Sequence, residues 1–201
     1  MTIIAVLLSL ASVGISKIGK GQGITSGIAL AEGLVSSARS IAKGKGTTAR
    51  LIIHSELNDN DPTERSRYRR LMMGVYHEID PETGVESQTW SRSGVPVFLP
   101  DQVYFSAERS RKEVATGDEW SKDRFQLSND PSDSADCYYI EFNSQGICTT
   151  PGASFVFENG ARPNNEERAI LGKTRNIGGF VIWRNGSTSM IRDIDQIDSE
   201  G

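Results

Sequence analysis

The sequence predicts an α+β fold in which a long N-terminal helix packs on an antiparallel β-sheet, and three observations carry that expectation. The chain opens on a segment, Met1 to Ser16, without a single charge. Residues 24–42 then repeat apolar side chains at three- and four-residue spacing, the signature of an amphipathic helix. From Arg50 onward the apolar runs are short, rich in β-branched and aromatic residues, and divided by Asn, Asp, Gly and Pro clusters, as strands joined by turns require. A length of 201 residues suits one compact domain with an appendage. With 37% hydrophobic and 24% charged residues the chain is neither a disordered low-complexity sequence nor a polytopic membrane protein.

Taken in order, Ile3, Ile4, Val6, Leu7, Leu8, Leu10, Val13 and Ile15 line the charge-free opening. As a helix, Ile3 to Ile15 spans roughly 20 Å, short of the ~30 Å of a hydrocarbon core. A secretory signal peptide has an apolar region of this length, but the positive n-region is absent and Ala11-Ser12-Val13 is an indifferent cleavage site. Lys17 to Gly23 holds three glycines, each costing a helix about 1 kcal/mol relative to Ala, so this patch is expected to bend or melt. Beyond it, Ile24, Ile28, Leu34, Val35, Ala38 and Ile41 form the stripe that should face the sheet. Lys43-Gly-Lys-Gly46 suits a helix end, with basic residues at the C-terminal dipole and Gly for a left-handed cap. The expected organisation is an apolar helix half over 1–23 and a globular domain over 24–201. The latter comprises an amphipathic helix at 24–43, a β-rich body at 48–194 and an acidic C-terminal tail at 195–201.

In the body, strands are expected at Arg50–His54, Leu71–Ile79, Val85–Trp90 and Cys137–Phe142. Val95–Pro100 is confined to an edge by its two prolines, and Gln102–Ser106 extends the sheet. Residues 107–136 read as a long polar loop. Ala153–Phe157 is placed across an Asn143–Gly146 turn from Cys137–Phe142. In Phe180–Ile191, two apolar runs around Asn185-Gly186 favour a tight type I′ hairpin. That turn at 143–146 would set Cys148 opposite Glu141, four strand residues or ~13 Å from Cys137, so two separate thiols are expected.

An uncapped apolar first half, a Gly-weakened middle, an amphipathic second half and a strand-rich body together resemble type IV pilin-like proteins. The similarity is to the H-type minor pseudopilins of type II secretion systems, whose C-terminal strands Ile140–Gly146 and the closing hairpin also resemble. The resemblance implies a pilin-like fold and a structural role, assembly through the N-terminal helix into a type II secretion pseudopilus or a type IV pilus-like filament. It implies other pilin-like subunits as partners, and the inner membrane as the store before assembly. The globular domain would lie in the periplasm, or in a cell-surface or periplasmic filament. Prepilin peptidase and N-terminal methylation would act on a leader; its Gly cleavage site and the glutamate that follows are not in this chain, and the reading frame is expected to continue upstream of Met1, where about five more apolar residues would complete a transmembrane helix.

Residues 1–46 hold five Lys/Arg against Glu32 alone, which leaves the rest of the chain at −8. Nucleic acid is therefore not expected as a partner, although Arg65, Arg67 and Arg69 cluster around Tyr68. Those arginines, with Trp120 in its charged surroundings, are the candidate partner surface, whereas Trp183, ending an apolar strand, is expected in the core. Two Cys and two His are too few for a zinc cluster, and the Asp-rich segments 58–61 and 130–136 lack calcium-loop spacing, so no metal is expected. His54 and His77 stand in no nucleophile or metal arrangement, and no phosphate-binding glycine loop occurs, so neither an enzyme nor a cofactor is expected. Two rivals remain: a secreted or envelope-anchored hydrolase using carboxylates of the 107–136 segment, and a DNA-binding minor pilin.

Overall fold

The computed structural model describes residues 2–57, 61–111, 120–161, 170–171 and 177–191; for residues 2–22 and 170–171 the backbone alone is described. Helix α1 spans Thr2–Lys45. It closes where Gly46 takes φ +66° and the Thr47 amide donates to the Ala42 carbonyl at 3.1 Å, a left-handed cap. There follow β1 (Ala49–His54), a short helix α2 (Pro62–Arg67), β2 (Leu71–Ile79), β3 (Glu86–Arg92), β4 (Val97–Phe98) and β5 (Val103–Phe105). The chain continues through β6 (Lys122–Gln126), β7 (Ser134–Phe142), β8 (Ala153–Ala161), β9 (Ile170–Leu171), β10 (Ile177–Ile182) and β11 (Thr188–Ile191).

These strands form two antiparallel sheets. One runs β3-β2-β1-β7-β6 with β4 also on β2, the other β11-β10-β8-β5 with β9 also on β8. The expected α+β fold, one sheet carrying a long helix, is thereby corrected: the protein is mostly antiparallel β. Two features of the chain decide this. The 107–136 segment is not one long loop but supplies β6 and the start of β7. And β7 and β8 do not pair across residues 143–146; the chain crosses there from one sheet to the other, leaving only the Phe142–Cys148 bridge.

Inner faces of both sheets and one side of α1 share a core. Ile24, Ile28, Ala31, Val35, Ala38 and Ala42 meet Leu51, Ile53, Ile140 and Phe142 from the first sheet, and Phe155, Phe157, Phe180 and Ile182 from the second. The first sheet is also apolar on its outer face, where Ile52, Leu71, Met73, Val75, Phe125 and Cys137 cluster. A strand buried on both faces loses its period-2 signal, which is why β1 reads as a continuous apolar run.

The glycine patch does not break the helix. A Cβ on Gly27 would lie 3.1 Å from Val103 Cγ1 and one on Gly23 3.4 Å from Val103 Cγ2, so these two glycines let α1 approach β5 closely. Among the described residues no helix is long and apolar enough to cross a membrane. This corrects the expected transmembrane pilin helix and the inner-membrane location. The acidic tail 195–201 lies outside the described residues.

Candidate functional site

The stripe expected to face the sheet is placed as follows. Ile24 and Ile28 are 5% and 7% exposed, Val35 and Ala38 are buried, and Leu34 and Ile41 are half-buried against the core. Ile3, Ile4, Val6, Leu7, Leu8, Leu10, Val13 and Ile15 belong to α1, but their side chains lie outside the described residues.

The candidate partner surface is not assembled as expected. Trp120 is only 6% exposed, and its ring meets Phe105 edge-on at 5.5 Å and Phe155 at 4.8 Å between the two sheets. Its charged neighbours in sequence misled because one large ring can enter a core while the chain on either side stays wet. Trp183 shows the reverse: it is half exposed, and its Nε1 donates to Ser189 Oγ at 2.7 Å across the closing hairpin. That hairpin is wider than the expected two-residue turn, since Trp183 N–H donates to Ser187 O and only Gly186 has positive φ, a three-residue loop with a left-handed glycine.

Arg67 and Arg69 are committed within the molecule. Arg67 bonds both oxygens of Asp133 at 2.5 and 3.0 Å and reaches Glu64 at 3.0 Å; Arg69 bonds both oxygens of Glu108 at 2.7 Å. The paired donation to Asp133 raises the Arg67 guanidinium above its ordinary value and holds the Asp133 carboxyl below the usual carboxylate range. Arg65, which precedes both in sequence, stands on α2. Forked guanidinium–carboxylate pairs of this kind fix loops rather than await a polyanion.

Glu64, Arg67 and Asp133 stand beside the one buried imidazole of the described residues. His54 ends β1 with no exposed surface, opposite Cys137 of β7. Its Nε2 lies 2.8 Å from Glu64 Oε2, out of line for a hydrogen bond, and Nδ1 has no partner. Burial lowers the ring below its ordinary value, with Arg67 acting in the same sense and Glu64 and Glu56 opposing. A second polar group sits two strand residues before Ile52: the Arg50 guanidinium lies 3.9 Å from the Tyr139 ring and 4.4 Å from Trp90, bonded to Glu141 at 2.8 Å and Asp123 at 2.9 Å. Its cation fills an aromatic box built by its own sheet.

Reading the sequence singled out His54 but missed Glu64, Asp133 and Arg50. Two signals were available: an Asp61-Pro62-Thr-Glu helix start with Arg67 three residues after Glu64, and an arginine inside the apolar run of β1. Neither reveals its partner, because Asp133 and Glu141 lie 66 and 91 residues further along the chain.

The chemistry open to these groups is narrow. Burial raises both thiols, Cys137 most strongly, so neither is a ready thiolate. Both cysteines are free, and they stand in different clusters on opposite faces of the first sheet. Among the described residues no group of three His, Cys, Asp or Glu side chains is placed to hold a metal ion. Of the carboxylates in the segment that the hydrolase reading invoked, Asp123 pairs with Arg50, Asp133 with Arg67 and Asp136 with Arg124 at 3.5 Å, while Asp130 accepts from Ser132 in its own turn; residues 112–119 lie outside the described residues. No protein-family model, curated protein or solved structure matches the chain.

Proposed function

We propose that the protein is a structural subunit of a pilin-like filament, such as a type II secretion pseudopilus or a type IV pilus-like fibre, joining other pilin-like subunits through the first half of α1. The observation that supports this reading is the continuity of α1 from Thr2 to Lys45. One unbroken helix links a charge-free stretch to a half whose Ile24, Ile28, Ala31, Val35 and Ala38 are seated in the core. Residues 2–22 alone amount to about 30 Å of helix, so the link is a rod rather than a tether. A helix of this kind gains most when equivalent helices bury its apolar residues side by side, and the seated half then fixes how each body is carried on the bundle.

Sedimentation of the full chain tests the reading. The parent should self-associate, and Val6→Asp or Leu10→Asp should abolish association, because a charge left unpaired in an apolar seam costs about 3–5 kcal/mol. The melting temperature of the body should not move in either variant. Assembly that survives both charges overturns the proposal.

A further inference from the structure

Helix α2 contributes no buried residue of its own, yet its Glu64 lies against a ring with no exposed surface. It is capped by Asp61, whose carboxylate accepts the Thr63 amide at 2.7 Å, and it is held down by Glu64 against His54 and by Arg67 on Asp133. We propose that α2 is an acid-released strap: protonation of His54 favours a state in which α2 lifts from the first sheet and water reaches the ring and the neighbouring Cys137 thiol. The geometry supplies the reason. Imidazolium carries two N–H donors, and here Nδ1 faces no acceptor while Nε2 meets Glu64 out of line, so the charged ring is poorly served while α2 is closed.

The groups around the ring come from every neighbouring element. Glu64 and Arg67 face it from α2, Cys137 from β7 with Asp136 beside it, and Asp133 from the turn before β7. Glu56 follows β1 and, with Asp136, meets Arg124 of β6; the Arg69 amide donates to the His54 carbonyl. Glu64 and Glu56 favour the charged ring, Arg67 opposes it, and loss of water opposes it most. With α2 lifted the ring is hydrated and titrates near the ordinary ~6.5, so acidification below that value draws the equilibrium toward the lifted state. Asp133 stays ionised throughout this range because Arg67 holds its carboxyl low, so His54 is the group that responds.

Cys137 reports the opening. In the full chain carrying Cys148→Ser, Cys137 is the remaining thiol, and its labelling by 4,4′-dithiodipyridine is compared at each pH with labelling of free glutathione. From about pH 7.5 to 5.5 the normalised rate should rise roughly tenfold, the change set by one pH unit of protonation below the hydrated value. In His54→Gln the rate should not depend on pH. A flat profile in the parent, or an equal rise in His54→Gln, overturns the strap. Should His54→Gln not fold, the NMR titration of the His54 ring, assigned by comparison with His77→Gln, decides: a midpoint well below 6.5 supports it, and one at or above 6.5 overturns it.

Discussion

Gly179 shows how closely β10 lies on β8: a Cβ there would stand 2.0 Å from the Phe155 carbonyl oxygen, an atom of backbone that cannot step aside. Gly179→Ala should therefore destabilise by about 1–3 kcal/mol or more, lowering the melting temperature by several degrees. Gly33 is the contrast. It lies on the exposed side of α1 with nothing within 4 Å, and Gly33→Ala should stabilise by up to about 1 kcal/mol through helix propensity. His54 makes a prediction in pH. Burial lowers its value in the folded state, so the unfolded chain takes the proton first and stability rises with pH across the window between the two values. Stability is full above the unfolded ~6.5 and is lost as pH falls below it toward the folded value. The denaturation midpoint should drop between pH 7.5 and 5.5, and His54→Gln should flatten that part of the profile.

Among the elements, α1 is the most sensitive to charge, and the sensitivity is one-sided. Val35 has no exposed surface, whereas its neighbour Leu34 is half-buried. Val35→Asp should unfold the protein, since an unpaired buried charge costs several kcal/mol, while Leu34→Asp should give a folded protein with a lower melting temperature. Equal melting temperatures for the two would contradict this orientation. The helical stripe was legible because Ile24, Ile28, Val35 and Ala38 keep helical spacing whatever they pack against. β6 was not legible for the opposite reason. Of Lys122, Asp123, Arg124, Phe125 and Gln126 only Phe125 is buried, and an edge strand with one anchor leaves no periodic trace.

For the assembled body, two sheets around one helix place Cys137 and Cys148 on opposite faces of β7 and its continuation. A reductant should therefore leave the melting temperature unchanged, and a drop on reduction would mean the thiols can meet. The same arrangement explains how a chain at −8 outside its first 46 residues stays compact: Arg50, Arg67, Arg69 and Arg70 each pair with a carboxylate from a distant segment. Of these, Arg67 and Arg69 were read as a partner surface because side-chain type indicates exposure only until a partner is found for it.

What the sequence determined by itself is local. Spacing set the helical stripe of α1, the glycine at 46 set its end, and turn chemistry set the breaks around β2 and β3. The tertiary structure decided what lies far apart along the chain: the division of the strands into two sheets, the entry of Trp120 and the exclusion of Trp183, the use of Gly23 for contact with Val103 rather than bending, and the carboxylates that meet Arg50 and Arg67. Each of these depends on which surfaces compete for one core and which charges find each other across 60 residues or more. Those are differences in packing and desolvation energy that only the closed chain expresses.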